Sequence, residues 1–354
     1  MSVFFSEKLS AIKPYVPGEQ PTDKKYIKLN TNESPFPPAK GVSEVINDEA
    51  VSDLRLYSDP ELYALTNEIA NYYKLNREQV FCGNGSDEVL SFAFLAWGNN
   101  GVAFPDISYG FYPVFADLYN LNATVVPLEA DFSLNLTSFS GKAGLIVFAN
   151  PNAPTGLAVS VEEIENLVRT NPDSVIIVDE AYVDFGAESA LPLVNKYNNI
   201  LVVRTFSKSR QLAGARLGYA FGCKELIDDL NCIKYSFNPY NVNRLTALAG
   251  IEAIKDDAWF TECSDKIIQT REFLKKALVD RGFTVTDSKA NFVFASHPAL
   301  PKDTLYTKLK ASGILIRHFG NTRIQNFNRI TVGTDFETLQ LLKAIDSILT
   351  EDML

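Results

Sequence analysis

The chain has 354 residues, of which 46% are apolar and 21% charged, a balance that supports a globular core and suggests two domains. Lys and Arg number 33 against 43 Asp and Glu, a formal net charge of -10 with no Lys/Arg run, which argues against a nucleic-acid partner. Two histidines, His297 and His318, and four cysteines without a CxxC pair point away from a zinc site, a disulfide framework and a Ser-His-Asp triad, and the cysteines read as buried, inert thiols.

The chain starts MSVFFSEKLSAIK, charged at Glu7 and Lys8 and without the pattern of a signal peptide. No apolar run approaches about 18 residues, so a cytoplasmic protein with no membrane partner is expected. Six prolines at 14, 17, 21, 35, 37 and 38 make residues 1–40 an extended N-terminal arm. Leu62, Leu65, Ile69 and Tyr72/Tyr73 predict a helix over Pro60–Tyr73, and another is expected over Ser86–Trp97. Short apolar runs follow: GVAF (101–104), ATVVP (123–127), LIVFA (145–149), VIIV (175–178), ILVV (200–203) and LGYAF (217–221). Several are continuous rather than alternating, as strands buried on both faces are. A helix over Ser160–Arg169 opens with the capping box Ser160-Val-Glu-Glu163. Residues 41–240 therefore read as a large α/β domain with a mostly parallel mixed sheet flanked by helices. Beyond 240 the rhythm changes to a long helical region at 241–281, then FTV (283–285), NFVFA (291–295), ILIR (314–317), NRITV (328–332) and a last helix from the capping box Thr334-Asp-Phe-Glu337 to Leu349. This predicts a smaller α+β C-terminal domain over 241–354.

Ligands of open α/β sheets bind at the carboxyl ends of strands, so the residues after each run matter most. VIIV is followed by Asp179-Glu180-Ala181-Tyr182. An acid there is either a helix cap or the partner of a cation. ILVVR is followed by Thr205-Phe206-Ser207-Lys208-Ser209, with Arg216 eight residues on. Hydroxyls with a lysine and an arginine suit a phosphate, although a lone lysine after a strand is usually solvated. Gly83-Asn84-Gly85-Ser86-Asp87-Glu88 opens a helix, where free N–H groups favour an anion, but it is neither GxGxxG nor a P-loop. LIVFA is followed by the rigid loop Asn150-Pro-Asn152-Ala-Pro-Thr-Gly156. Pyridoxal phosphate accounts for all four segments, because it needs a lysine, an acid at its pyridine nitrogen and a phosphate cradle.

These motifs, with KPYVPG, LNTNESPFPP, YSDP (57–60), SYGFY (108–112), VDEAYVDF (178–185), RTFSKSRQLAGARLGY (204–219) and NRITVGT (328–334), resemble the pyridoxal-phosphate enzymes of the aspartate-aminotransferase fold. Within that fold the chain is most similar to the histidinol-phosphate aminotransferase branch, along nearly its whole length. The resemblance implies that Lys208 carries the cofactor and shuttles a proton, that Asp179 pairs with the pyridinium nitrogen, that Tyr182 hydrogen-bonds the phenolic oxygen and that Tyr109 stacks on the ring. It implies that Gly85, Ser86, Thr205, Ser207 and Arg216, with Asp87 nearby, hold the cofactor. It implies that Arg329 binds a substrate carboxylate, that Arg317 (or Arg323) acts at the far end, and that Tyr15, Asn32 and Tyr57 surround the substrate phosphate, Tyr57 from the partner subunit of a homodimer with shared active sites. The fold commonly has Asn directly before Pro-Thr-Gly. Ala153 stands there, so the contact falls to Asn152 or to Tyr182 alone. The implied reaction is transfer of the amino group of L-histidinol phosphate, a phosphorylated amine, to the 2-oxo acid 2-oxoglutarate. The alternatives are an aromatic amino-acid aminotransferase and a threonine-phosphate-type decarboxylase.

Overall fold

Apolar runs with no polar face must be covered on both sides. The computed structural model, which describes residues 2, 4–9 and 12–351, places such runs in the middle of a seven-stranded sheet. The strands in chain order are β1 (Ile27–Lys28), β2 (Val80–Gly83), β3 (Val102–Pro105), β4 (Ala123–Val126), β5 (Leu145–Ala149), β6 (Val175–Asp179), β7 (Ile200–Thr205), β8 (Gly218–Phe221), β9 (Thr284–Val285), β10 (Phe292–Ser296), β11 (Ile314–Leu315), β12 (Arg317–His318) and β13 (Phe327–Thr331). The large sheet runs β2-β8-β7-β6-β5-β3-β4. Strands β4, β3, β5, β6 and β7 are parallel, and only β8 opposes its neighbours. Because β8 opposes both β7 and β2, those two point the same way, and Gly83, Gly218 and Thr205 share one register line.

The helices are α1 (Lys40–Val45), α2 (Asp48–Ser52), α3 (Tyr63–Tyr73), α4 (Gly85–Trp97), α5 (Phe111–Leu118), α6 (Val161–Thr170), α7 (Lys224–Phe237), α8 (Arg244–Lys255), α9 (Asp257–Val279), α10 (Thr304–Ala311) and α11 (Asp335–Glu351), and several of them cover the large sheet on both faces. Alternate strand residues sort by face as the two-residue period requires. Ile146, Phe148, Ile176, Val178 and Val202 pack with Leu65, Ile69, Ile164 and Ala249 of α3, α6 and α8. Leu145, Val147, Ile177 and Val203 pack with Val89, Phe92, Phe115 and Leu230 of α4, α5 and α7. Each such side chain stabilises the fold by about 1.5–3 kcal/mol on full burial.

A second sheet is antiparallel, in the order β12-β13-β10-β9, and β1 pairs with β11 in parallel. The arm reaches this part of the molecule through that pair. Both capping boxes form: Ser160 and Glu163 close the start of α6, and Thr334 with Glu337 of the first turn closes the start of α11.

Several local expectations are corrected. Helix α3 begins at Tyr63, not Pro60, because the Asp59 carboxylate accepts from the amides of Glu61 and Tyr63 at 2.9 and 2.8 Å. The helical region at 241–281 is two helices, and the Asp256 side chain caps the second by accepting from Trp259 N. The run ILIR is not one strand: Ile314–Leu315 pairs with β1 and Arg317–His318 with β13. Cys82 and Cys263 are buried, but Cys232 is exposed and Cys223 intermediate, so the thiols are not uniformly interior. Among the described residues no helix is long and apolar enough to cross a membrane.

Candidate active site

The parallel register gathers the chemistry at one edge. Asp179 ends β6, Thr205 ends β7 just before Lys208, Asn150 follows β5, Ser108 and Tyr109 follow β3, and Gly85 follows β2. Arg216 leads into β8 at that same edge, since Gly218 is in register with Thr205.

Lys208 sits on the wall of a cavity of about 580 Å³, with its Nζ donating to Thr31 O at 3.0 Å and lying 5.8 Å from the centre of the Tyr182 ring. Burial disfavours its charge and the Arg329 cation adds to that, bringing the amine down to about 8. About a tenth of it is then a neutral nucleophile at pH 7, against well under about 0.1% for a free lysine. Asp179 is buried, accepting from Tyr112 Oη at 2.8 Å and Ala181 N at 3.2 Å. Burial raises its carboxyl to about 6, against the pull of those two donors. Among the described residues it makes no ion pair, which leaves a buried acid suited to a cationic ligand. Tyr182 is held by Asn32 Nδ2 at 2.9 Å and packs edge-on against Phe292.

Beside these lies an anion cradle. Helix α4 starts at Gly85 with φ +78° and without a side-chain cap, which leaves first-turn N–H groups open. A Cβ on Gly85 would meet Arg216 Nη2 at 2.5 Å, and one on Gly218 would meet Ser86 N at 2.2 Å. Glycine is therefore required where arginine, strand and helix start converge. Arg216 pairs with Asp87 at 2.9 Å, and Asp87 also accepts from Tyr109 Oη at 2.6 Å. The Ser207 amide donates to Thr205 Oγ1 at 3.1 Å.

Across the cavity, Arg317 and Arg329 are paired residues of β12 and β13. Arg329 Nη2 donates to Asn30 O at 3.1 Å, while its buried Nε has no partner among the described residues. Arg317 donates to the carbonyls of Pro17 and Val16 at 3.1 and 3.0 Å. It thereby holds the arm, whose Tyr15 stacks on Phe111 at 4.3 Å.

Tyr15, Asn32, Tyr109, Tyr182, Lys208, Arg317 and Arg329 thus line one cavity, with Asp179 and the cradle adjoining it. Three expected residues lie apart from it. Asn152 points elsewhere: its amide donates to Ile107 O and Thr155 Oγ1 and accepts from Ser108, and Ala153 meets the cavity instead. Tyr57 is 79% exposed and stacks on Tyr240. Arg323 pairs with Asp106 and donates to the carbonyls of Leu128 and Glu129, which separates it from Arg317. Tyr112 and Thr331 were not singled out from sequence. Tyr112 lies three residues beyond Tyr109 in SYGFY, a spacing that could have marked it.

An unpaired buried carboxylate, a nucleophilic lysine and a glycine-shaped cradle with arginine and hydroxyls fit pyridoxal phosphate, group for group. The fold and donor set are those of a lysine-anchored, cofactor-dependent enzyme. Comparison with known proteins narrows the class. The profile of the family described as aminotransferase class I and II matches residues 24–345. A histidinol-phosphate aminotransferase of Brachyspira hyodysenteriae is 50% identical over 340 residues, covering 95% of this chain and 96% of that protein. Another, of Clostridium botulinum, is 47% identical over 353 residues, covering 99% and 100%. The solved histidinol-phosphate aminotransferase of Sinorhizobium meliloti, in complex with pyridoxal-5'-phosphate, has the same fold, with a TM-score of 0.90 at 24% identity over 99% of each chain. The chain belongs to the class I and II aminotransferases and, within them, to the histidinol-phosphate aminotransferase family.

Proposed function

We propose that this protein is a pyridoxal-phosphate-dependent transaminase that moves the amino group of L-histidinol phosphate to 2-oxoglutarate in histidine biosynthesis, as a cytoplasmic homodimer. The observation that carries the reading is the facing pair Arg317 and Arg329 on the cavity that holds Lys208. Two guanidinium forks suit a phosphate on one substrate and carboxylates on the other.

Bound pyridoxal phosphate supplies an electron sink for negative charge at the substrate's α carbon. The chain's own residues do the rest. Gly85, Ser86, Ser207 and Arg216 bind the cofactor phosphate, and Asp87 orients Arg216 and Tyr109. Thr205 holds the Ser207 amide. Asp179, steadied by Tyr112, would hold the proton on the cofactor's ring nitrogen. Tyr109 would cover the cofactor ring, and Tyr182 would donate to its phenolic oxygen. With the cofactor bound, Lys208 would take the proton from the substrate's α carbon and deliver it to the cofactor's C4′ carbon. Its lowered proton affinity suits a base near neutral pH. Arg329 orients a carboxylate, and Arg317 with Tyr15 receives the substrate's far end and excludes water. Asn152 supports the loop that carries Ala153. Tyr57 is exposed and stacks on Tyr240, and its chain neighbours Val51, Leu54, Leu56 and Tyr63 are exposed too, which supports contact with a second copy.

Steady-state assay tests the reading. With 2-oxoglutarate as acceptor, L-histidinol phosphate should yield glutamate with kcat/KM at least about 100-fold above phenylalanine. A preference for phenylalanine would make this an aromatic aminotransferase. Carbon dioxide release from threonine phosphate without any 2-oxo acid would make it a decarboxylase.

A further inference from the structure

The hydrogen bonds around Asn32 have one consistent direction. Its backbone N–H donates to Thr331 Oγ1 at 3.0 Å, so the Thr331 hydroxyl hydrogen is free to go to Asn32 Oδ1 at 3.1 Å. Oδ1 is then the acceptor, the orientation in which the Thr331 hydrogen also has a partner. Nδ2 then donates to Tyr182 Oη at 2.9 Å. Since Tyr182 Oη accepts there, its own hydrogen must point elsewhere, toward the cavity that Tyr182 and Lys208 line. The charged groups around this tyrosine are Arg329, Asp179, Asp87 and Lys208, and none of them hydrogen-bonds its hydroxyl. Asn32 is 1% exposed and holds φ +56°, a left-handed conformation that Asn tolerates better than most residues. Ala153, which also lines the cavity, offers only a methyl group, and the Asn152 amide is committed to its own loop.

We infer that Asn32 is a positioning residue that aims the Tyr182 hydroxyl into the site as a hydrogen-bond donor, a task the Asn150–Gly156 loop of this chain does not share. The inference rests on the cofactor reading above. A donor at the phenolic oxygen draws on its negative charge, and so weakens the hold of the loaded site on its titrating proton. Without the donor, that proton is held to higher pH.

The test is a pH titration of the visible absorbance of the cofactor-loaded protein. Asn32→Gly removes the amide, keeps the backbone donor and fits the left-handed φ. Tyr182→Phe removes the hydroxyl. Both should raise the titration midpoint by about one unit, a tenfold change. Asn32→Gly added to Tyr182→Phe should move it no further. Asn32→Asp, which replaces the donor by an acceptor, should raise it at least as much as Asn32→Gly. If the Asn32 variants leave the midpoint where it was, or add in full to Tyr182→Phe, the inference is overturned while the cofactor reading stands. If the wild-type protein takes up pyridoxal phosphate without any lysine-dependent visible band, both fall. Should Asn32→Gly not fold, Asn32→Asp and Tyr182→Phe still decide: a Tyr182→Phe midpoint equal to wild type overturns it.

Discussion

Arg317 and Arg329 stand directly opposite each other on neighbouring antiparallel strands, both on the wall of the cavity that holds Lys208. Like charges in that position destabilise a sheet, and among the described residues neither arginine has an acidic partner. An anion between them relieves the repulsion. Inorganic phosphate should therefore raise the unfolding temperature of the wild-type protein and raise that of Arg329→Gln much less. The same substitution should lower kcat/KM for both substrates by about 100-fold, from the loss of a charge-assisted hydrogen bond. Equal phosphate effects in the two proteins would count against the pair as an anion site.

Asp179 gives a pH signature to the cofactor-free protein. Burial lifts its carboxyl to about 6, above the roughly 3.9 of an unfolded chain. The native state then binds the proton more tightly, so its stabilising effect is complete below about pH 4 and is lost as pH rises through about 6. Asp179→Asn removes that loss. The cofactor-free variant should be more stable than wild type at pH 7 by on the order of 2 kcal/mol, with the gap closing near pH 4. Thermal unfolding at the two pH values measures it. The loaded proteins should show the opposite order at pH 7, because the wild-type carboxylate then has a cation to face.

Gly85 is where the backbone meets Arg216. Its positive φ and the 2.5 Å approach of Arg216 Nη2 to a Cβ make Gly85→Ala costly in two ways. The backbone penalty should be about 1 kcal/mol, read from unfolding. Displacement of Arg216 should weaken cofactor binding by about tenfold or more, read by fluorescence titration. Unchanged affinity would remove Gly85 from the cradle.

Beneath the lysine segment, Arg204 is 6% exposed and pairs with buried Glu180 at 2.9 Å and with Asp184 at 3.5 Å, and it also donates to Ser189 and Tyr73. Breaking a buried pair from one side leaves an uncompensated charge. Arg204→Met should destabilise the protein by about 3–5 kcal/mol, and the double variant Arg204→Met/Glu180→Met should regain much of it. Chemical denaturation of the three proteins checks this. A double variant no better than the single would mean that the pair contributes through geometry rather than charge.

The central strands were legible because LIVFA, VIIV and ILVV have no polar face, and the residues at their ends identified the chemical edge. Strand β2 was not, since VFCG is short and runs into glycines. Helix α7 was missed because its Asp and Lys residues interrupt the apolar spacing. The division of 241–281 at Asp256 depends on one capping side chain within a pattern that otherwise continues. In the site, Lys208, Asp179 and Arg216 stand in compact motifs that sequence displays. The Asn32–Tyr182 bond joins residues 150 positions apart, and no local pattern encodes it. The commitment of Asn152 to its own loop is likewise a matter of tertiary geometry.

The most direct measurement is a half-reaction. The loaded protein is mixed with L-histidinol phosphate and no 2-oxo acid, and its visible absorbance is followed. The band should disappear in a single exponential with one equivalent of amine consumed, and 2-oxoglutarate should restore it with one equivalent of glutamate formed. The Lys208→Ala protein should show neither step. A band that persists with L-histidinol phosphate, or a Lys208→Ala protein that cycles like wild type, would contradict the account.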